Sequence, residues 1–240
     1  MAVSSSRKRS SVAVSSSRKR SSTLSHITAR RSSVLLSCLA AATLAGGCAH
    51  VTGGIAAMPP TEGPYLHGMD VDDLLLTTSE MRDLTGAGLY LNGIPGMDSK
   101  YTVDDEFLVE AATPECQFVF RESMVFGPDV KQFHKTSFQT PPKSALLSEA
   151  AAAYVDAPTA RRAFDNLANL VKVCGDTPAG YPYVYDWTAD EQMLRAEGLG
   201  DCGRVYRVEA TVLIEVTYCG YSHVVPDLLA KRIAARVGAR

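Results

Sequence analysis

Cysteine is the residue type whose placement says most about chemistry in this 240-residue chain. Cys38 and Cys48 fall early; Cys116, Cys174, Cys202 and Cys219 fall in the long remainder. Cys48 closes the run Leu44-Ala45-Gly46-Gly47-Cys48, behind an apolar segment that begins at Val34 and follows Arg30 and Arg31. Positive charge, a short apolar segment, small residues and a cysteine are the layout of a secretory signal. Cleavage is expected just before Cys48, with acylation of the new terminal residue. The 14 residues from Val34 to Gly47 fall short of the roughly 20 that a spanning helix requires. The expected product is a palmitate-bearing lipoprotein on the outer, extracytoplasmic face of the cell membrane, its membrane contact made by the acyl chains on Cys48. Cys38 competes poorly, with almost no apolar segment ahead of it.

The four later cysteines fit a different use. In an exported domain an even count reads as two disulfides. The sequence holds no Cys-x-x-Cys pair, so zinc is a poor match. Asp201–Val208 and Thr211–Cys219 are β-rich runs flanking Glu209-Ala210. Setting Cys202 opposite Cys219 in a hairpin centres the turn between Ala210 and Thr211 and pairs Val205 with Val216. Val212, Ile214, Val216 and Tyr218 then share one face, and the cysteines lie on the other. That register predicts a Cys202–Cys219 bridge and leaves Cys116 for Cys174. By chain entropy the two loops contribute at most about 3 and about 4 kcal/mol.

Catalytic groupings are absent from the sequence. His26, His50, His67, His134 and His223 form no His-x-x-x-His or His-Glu pair. Gly220-Tyr221-Ser222-His223 sets a serine beside a histidine but lacks the Gly-x-Ser-x-Gly frame and follows the last strand. Asp72-Asp73 and Asp104-Asp105-Glu106 lack the alternating ligand spacing of a calcium loop. The expectation is a non-enzyme with no metal and no cofactor; a cell-envelope hydrolase is the remote alternative. For binding, the stretch Tyr181-Pro182-Tyr183-Val184-Tyr185-Asp186-Trp187 stands out. As an edge strand it places Tyr181, Tyr183, Tyr185 and Trp187 on one face, packed against the core. Lining a cleft instead, the same four rings are the candidate residues for stacking on a glycan, a lipid headgroup or another small molecule.

Charge narrows the partners. A direct repeat, Ala2–Ser11 and Ala13–Ser22, makes the first stretch basic and serine-rich, with no apolar content to pack a core. Eight of the 24 basic residues precede Cys48, and all 26 acidic residues follow it, which leaves the remainder at −10. An acidic chain is unsuited to nucleic acid, whose affinity comes from Lys and Arg on phosphates. The organisation expected is a leader and signal peptide at 1–47, a flexible tether at 48–70 rich in Gly, Pro, Thr and Ala, and one domain at 71–240.

The elements that must position these residues can be read coarsely. Val71–Leu84 is an interrupted helix, with a capping box at Thr77-Thr78-Ser79-Glu80 and a stop at Gly86. Leu89–Lys100 is loop, Cys116–Phe120 a short strand or helix, and Glu149–Val155 a strand. Ala160, Ala163, Phe164, Leu167, Leu170, Val171 and Cys174 recur at three- and four-residue spacing, which predicts a helix over Pro158–Cys174. Pro226–Val237 is a second amphipathic helix. Helices interleaved with antiparallel strands give an α+β class.

Several of these segments together resemble the PknH-like extracellular domain, a family found as the external sensor region of some actinobacterial Ser/Thr kinases and as stand-alone lipoproteins. The resemblance rests on Asp73-Leu74-Leu75-Leu76, Leu84-Thr85-Gly86-Ala87, Pro114-Glu115-Cys116, Ala160 with Phe164 and Cys174, and Cys202. It is densest over Val212–Ser222 and continues through Ile233-Ala234. It implies a central antiparallel sheet flanked by helices, two disulfides in sequential pairing, and a cleft for an unidentified ligand. Relatives often carry a tryptophan where this chain has Val171, and another near Leu199-Gly200-Asp201; the sole tryptophan here is Trp187. The chain has no kinase segment. The function expected is a non-catalytic, sensor-like ligand-binding domain on a lipid anchor. The alternative is a surface interaction or structural lipoprotein without a small-molecule ligand.

Overall fold

The computed structural model describes residues 70–239. The leader, Cys48 with its expected acylation, and the tether apart from Asp70 lie outside the described residues. Local signals set the first elements. Asp70 caps a 3-10 turn, Val71–Asp73. Thr77 and Glu80 cap one another at the start of α1 (Thr78–Thr85), and Gly86 ends that helix at φ 66°, in the left-handed region. The interrupted helix of the sequence is therefore a 3-10 turn followed by a capped α-helix. The segment expected as loop from Leu89 to Lys100 contains β1 (Asn92–Gly93), a short edge strand. Asp105 caps α2 (Glu106–Ala111). Pro114–Phe120 is a 3-10 helix, so Cys116–Phe120 is helical, and α3 (Glu122–Phe126) follows it.

β2 (Gln132–Thr140) and β3 (Ala145–Ala153) pair antiparallel along their whole length. Alanine favours helix, yet Ala150 to Ala153 are buried in a strand with β neighbours on both sides. Pairing overrides propensity here, and the small side chains let covering elements approach closely. Asp156 accepts from the Thr159 amide at 2.8 Å and Pro158 sits in the first turn, which starts α4 (Ala157–Gly175). Its buried stripe is Ala160, Phe164, Leu167, Val171 and Cys174. Four strands follow: β4 (Asp186–Ala189), β5 (Met193–Glu197), β6 (Cys202–Glu209) and β7 (Val212–Cys219). Helix α5 (Val224–Gly238) ends the described chain.

The strands form one seven-stranded antiparallel sheet in the order β1-β2-β3-β7-β6-β5-β4. Its two faces carry separate cores. Leu147, Ala151, Val205, Ile214, Val216 and Tyr218 face α5 and the Val71–Leu76 segment. Ala150, Ala152, Leu194, Tyr206 and Leu213 face α4 and the Pro114–Phe126 region. The architecture is α+β, a central antiparallel sheet flanked by helices in a single domain. The structure pairs Cys202 with Cys219, Val205 with Val216 and Glu209 with Val212, which is the register read from the sequence. Ala210 turns that hairpin with φ 48°. Two disulfides are formed: Cys116–Cys174 fastens the 3-10 helix to α4, and Cys202–Cys219 fastens the open end of the β6–β7 hairpin.

Candidate functional site

At the hairpin's open end the chain makes three returns close together. β5 ends at Glu197, Gly198–Asp201 loops into β6, and β7 exits through Gly220–His223 into α5. The turns need left-handed residues, which Gly200 (φ 76°), Asp201 (φ 56°) and Gly220 (φ 71°) supply. The Gly220 amide donates to the Asp201 carbonyl at 3.0 Å, tying two of the loops together. Between them lies a cavity of about 560 Å³, whose lining includes Tyr185, Glu197, Asp201, Tyr218, Tyr221 and His223. That volume is in the range of small-molecule sites.

A cross-strand row makes the floor. Glu197 on β5, Gly203 on β6 and Tyr218 on β7 are register partners on the α5 face. The Tyr218 hydroxyl donates to Glu197 Oε2 at 2.8 Å, passing over Gly203. A Cβ on Gly203 would stand 2.6 Å from that hydroxyl and 2.8 Å from Glu197 Oε2, so only glycine permits the contact. Burial, and then the adjacent Glu197 carboxylate, push the Tyr218 hydroxyl's pKa upward, which keeps it a proton donor. His223 Nδ1 lies 3.2 Å from the Tyr218 hydroxyl and 3.4 Å from Arg195 Nη1. Arg195 is paired with Asp227 in the first turn of α5. Glu197 Oε1 is buried and accepts no hydrogen bond. Its nearest nitrogens are His223 Nδ1 at 3.1 Å and Arg195 Nη1 at 3.6 Å.

The four candidate rings do not act together. The strand begins only at Asp186, so Tyr181, Tyr183 and Tyr185 lie in turn and coil, and the one-faced edge strand is not formed. Pro182 and the 3-10 turn before it, Pro178–Gly180, keep this segment out of the ladder. Tyr181 and Tyr185 are exposed and tilt toward one another at 6.2 Å. Tyr183 packs edge-on to Phe120 at 5.8 Å. Trp187 is half-buried over the end of α4, where Gly175 leaves room for its indole. Tyr185 alone of the four lines the cavity. Its amide donates to the Glu197 carbonyl at 2.8 Å, and Leu199 donates to the Pro182 carbonyl at 3.3 Å, which stitches the aromatic segment to the cavity rim.

His223 therefore faces Tyr218, Arg195 and Glu197 rather than its neighbour Ser222. Sequence reasoning set aside a Ser222–His223 dyad, as the structure does, but passed over Arg195, Glu197 and Asp227 as the partners around His223. The signal for two of them was available: Arg195-Ala196-Glu197 alternates on a short strand, which puts both charges on one face. A second charged group, Asp72, Asp98 and Lys100 around His134, clamps the N-terminal turn and the loop before α2 onto β2. No group of acidic, histidine or cysteine side chains among the described residues could hold a metal ion. No helix among them is long and apolar enough to cross a membrane.

The fold has recognisable relatives. The family profile of the PknH-like extracellular domain matches residues 66–240. Among solved structures, the crystal structure of the extracellular domain of PknH from Mycobacterium tuberculosis is similar, with a TM-score of 0.53 and 19% sequence identity. The match covers 70% of this chain and 95% of that one. No curated protein matches the chain.

Proposed function

Since the chain belongs to the PknH-like extracellular domain family, we propose that it is an exported, lipid-anchored sensor module that binds a small ligand without transforming it. One observation carries the reading: the cavity at the open end of the β6–β7 hairpin, floored by Glu197, Gly203 and Tyr218. Its floor keeps a glycine where any side chain would fill the contact, and a buried carboxylate oxygen with no hydrogen-bond donor. Polar groups converging in a cavity of this kind are the ordinary makings of a binding site. Its chemistry is that of recognition. Tyr218 gives its proton to Glu197, and His223 Nδ1 lies among the Tyr218 hydroxyl, Arg195 and the Glu197 carboxylate.

The anchor part of the proposal rests on the sequence before the domain. Cys48 would carry the acyl chains, and residues 48–70 would link it to the domain, with a mean span of roughly 25 Å for a flexible chain of that length. Native mass spectrometry of the full chain extracted from its own membrane tests the binding reading. A retained small molecule, lost in a Gly203→Leu variant that fills the cavity floor, is expected. Ligand-free protein, or retention unchanged in that variant, overturns it. Labelling with an alkyne analogue of palmitate tests the anchor: label is expected in the full chain and absent from Cys48→Ala, and label in both overturns it.

A further inference from the structure

We infer that the Cys202–Cys219 disulfide is a thiol-exchange site, opened by a small uncharged thiol while Cys116–Cys174 stays closed. The two bridges differ in access. Cys116 and Cys174 are fully buried between the 3-10 helix and α4. Cys202 and Cys219 are both half-buried. Together they line a gap of about 180 Å³, bordered also by Phe118, Tyr183 and Thr217, and Cys202 borders the larger cavity as well. Exchange requires a thiolate to reach a disulfide sulfur, so accessible bridges are the labile ones. Asp201, exposed beside Cys202, repels an anionic thiol, which sets the class as small and uncharged.

The step balances with two thiols. The thiolate of the first attacks one cysteine Sγ, forming a mixed disulfide and breaking the Cys202–Cys219 bond. The electron pair leaves on the other Sγ, which takes a proton. The second thiol displaces the protein sulfur from the mixed disulfide. Two small thiols are thereby oxidised to one disulfide, and the protein gains two electrons and two protons. The topology sets the consequence. Strands β6 and β7 pair along their whole length, and β7 is also paired with β3, so the hairpin keeps its register without the bridge. What the bridge fastens is the open end, where Gly198–Asp201 enters β6 and Gly220–His223 leaves β7. After reduction these loops are tied directly by the Gly220 amide on the Asp201 carbonyl, at 3.0 Å, between left-handed residues. Exchange therefore loosens one rim of the cavity and leaves the rest of the domain folded. The assignment holds whether or not the cavity takes a ligand.

Timed reduction of the detergent-solubilised full chain with dithiothreitol, followed by iodoacetamide and peptide mapping, tests the site. Cys202 and Cys219 are expected to be alkylated at least about tenfold faster than Cys116 and Cys174, because access governs the rate. Equal rates, or earlier opening of Cys116–Cys174, overturn the assignment. Hydrogen exchange on the selectively reduced protein tests the consequence. The Gly220 amide is expected to exchange at least about tenfold faster than in the oxidised protein, while amides of β3 and α4 stay within about twofold, as in local opening. An unchanged Gly220 amide, or loss of protection throughout, overturns the loosened rim. A Cys202→Ser/Cys219→Ser double variant is expected to fold and to repeat the exchange pattern of the reduced protein; an unfolded double variant would show that the bridge holds the whole domain and overturns the assignment.

Discussion

Two carboxylates are buried on the same face of the sheet and under the same helix, yet their surroundings are opposite. Glu149, on β3, is fully buried near the C-terminal end of α5; Glu197, on β5, sits by its N-terminal end at the cavity. Glu149 Oε1 accepts from the Leu76 amide at 2.9 Å and the Thr136 hydroxyl at 3.3 Å, and no ion pair to it occurs among the described residues. Burial pushes its pKa from 4.5 up to about 8. At neutral pH it is a neutral acid that fastens the Val71–Leu76 segment to the sheet. Glu197 has Arg195, His223 and Tyr218 around it and a cavity in front. The comparison separates two uses of one side chain: a proton-bearing clasp in a dry core, and a carboxylate held among Arg195, His223 and Tyr218 at a cavity wall.

The largest expected effect tests the clasp. Glu149→Ala leaves a buried amide at Leu76 without its acceptor and opens a void, which together cost about 2–4 kcal/mol. Glu197→Ala opens onto the cavity, where water replaces the lost acceptor, and is expected to cost less than about 1.5 kcal/mol. Urea denaturation of both variants measures the difference. A larger loss for Glu197→Ala would reverse the assignment of roles.

A pH series sharpens the same contrast. The native state keeps a proton on Glu149 that the unfolded chain releases between 4.5 and about 8. The stability this contributes is complete below pH 4.5 and drains away as pH rises toward 8, with a slope of at most about 1.4 kcal/mol per pH unit. Glu149→Gln, an uncharged mimic, is expected to remove about 2 kcal/mol of the loss between pH 5 and pH 7. Denaturation profiles of the two proteins that stay parallel across this range would show that Glu149 does not titrate as argued.

The sequence makes these regions unequally legible. The hairpin register and both disulfide pairings were readable because two cysteines and a run of alternating apolar residues agree on one alignment. The α4 stripe and the Thr77–Glu80 cap are equally local signals. Strand β2 was not, since Lys135-Thr136-Ser137 in its middle breaks the alternation that marks a strand. The cavity was illegible for a different reason. Glu197, Gly203 and Tyr218 lie on three strands and meet only through pairing, so no spacing in the chain announces them. The four aromatic residues were visible but misled, because Pro182 and the turn before it break the strand that would have aligned them.

Gly203 tests whether the cavity floor is a built feature. Gly203→Ala puts a methyl carbon 2.6 Å from the Tyr218 hydroxyl and must displace it from Glu197. Losing a hydrogen bond to a charged group costs about 1.5–3 kcal/mol, partly recovered by the better strand propensity of alanine, for a net loss of about 1 kcal/mol. Tyr218→Phe removes the same bond without the clash and is expected to lose a similar amount. Thermal melts of the two variants compare them, and an undisturbed Gly203→Ala protein would mean that the floor adjusts freely.

The smallest effects belong to the exposed rings, and they separate the cavity from its surroundings. Tyr181 and Tyr185 are neighbours of similar exposure, but only Tyr185 lines the cavity. Neither truncation is expected to change stability by more than about 0.5 kcal/mol, as is usual for surface sites. Their effects on the retention of a small molecule in native mass spectrometry should diverge. Tyr185→Ala removes a ring face from the cavity lining, worth about 0.5–1 kcal/mol to a stacked ligand, a two- to fivefold weakening. Tyr181→Ala is expected to leave affinity within about twofold, since its ring meets Tyr185 but does not line the cavity. Equal weakening by both would move the binding surface out of the cavity and onto the exposed aromatic pair, returning weight to the stacking surface that the sequence first suggested.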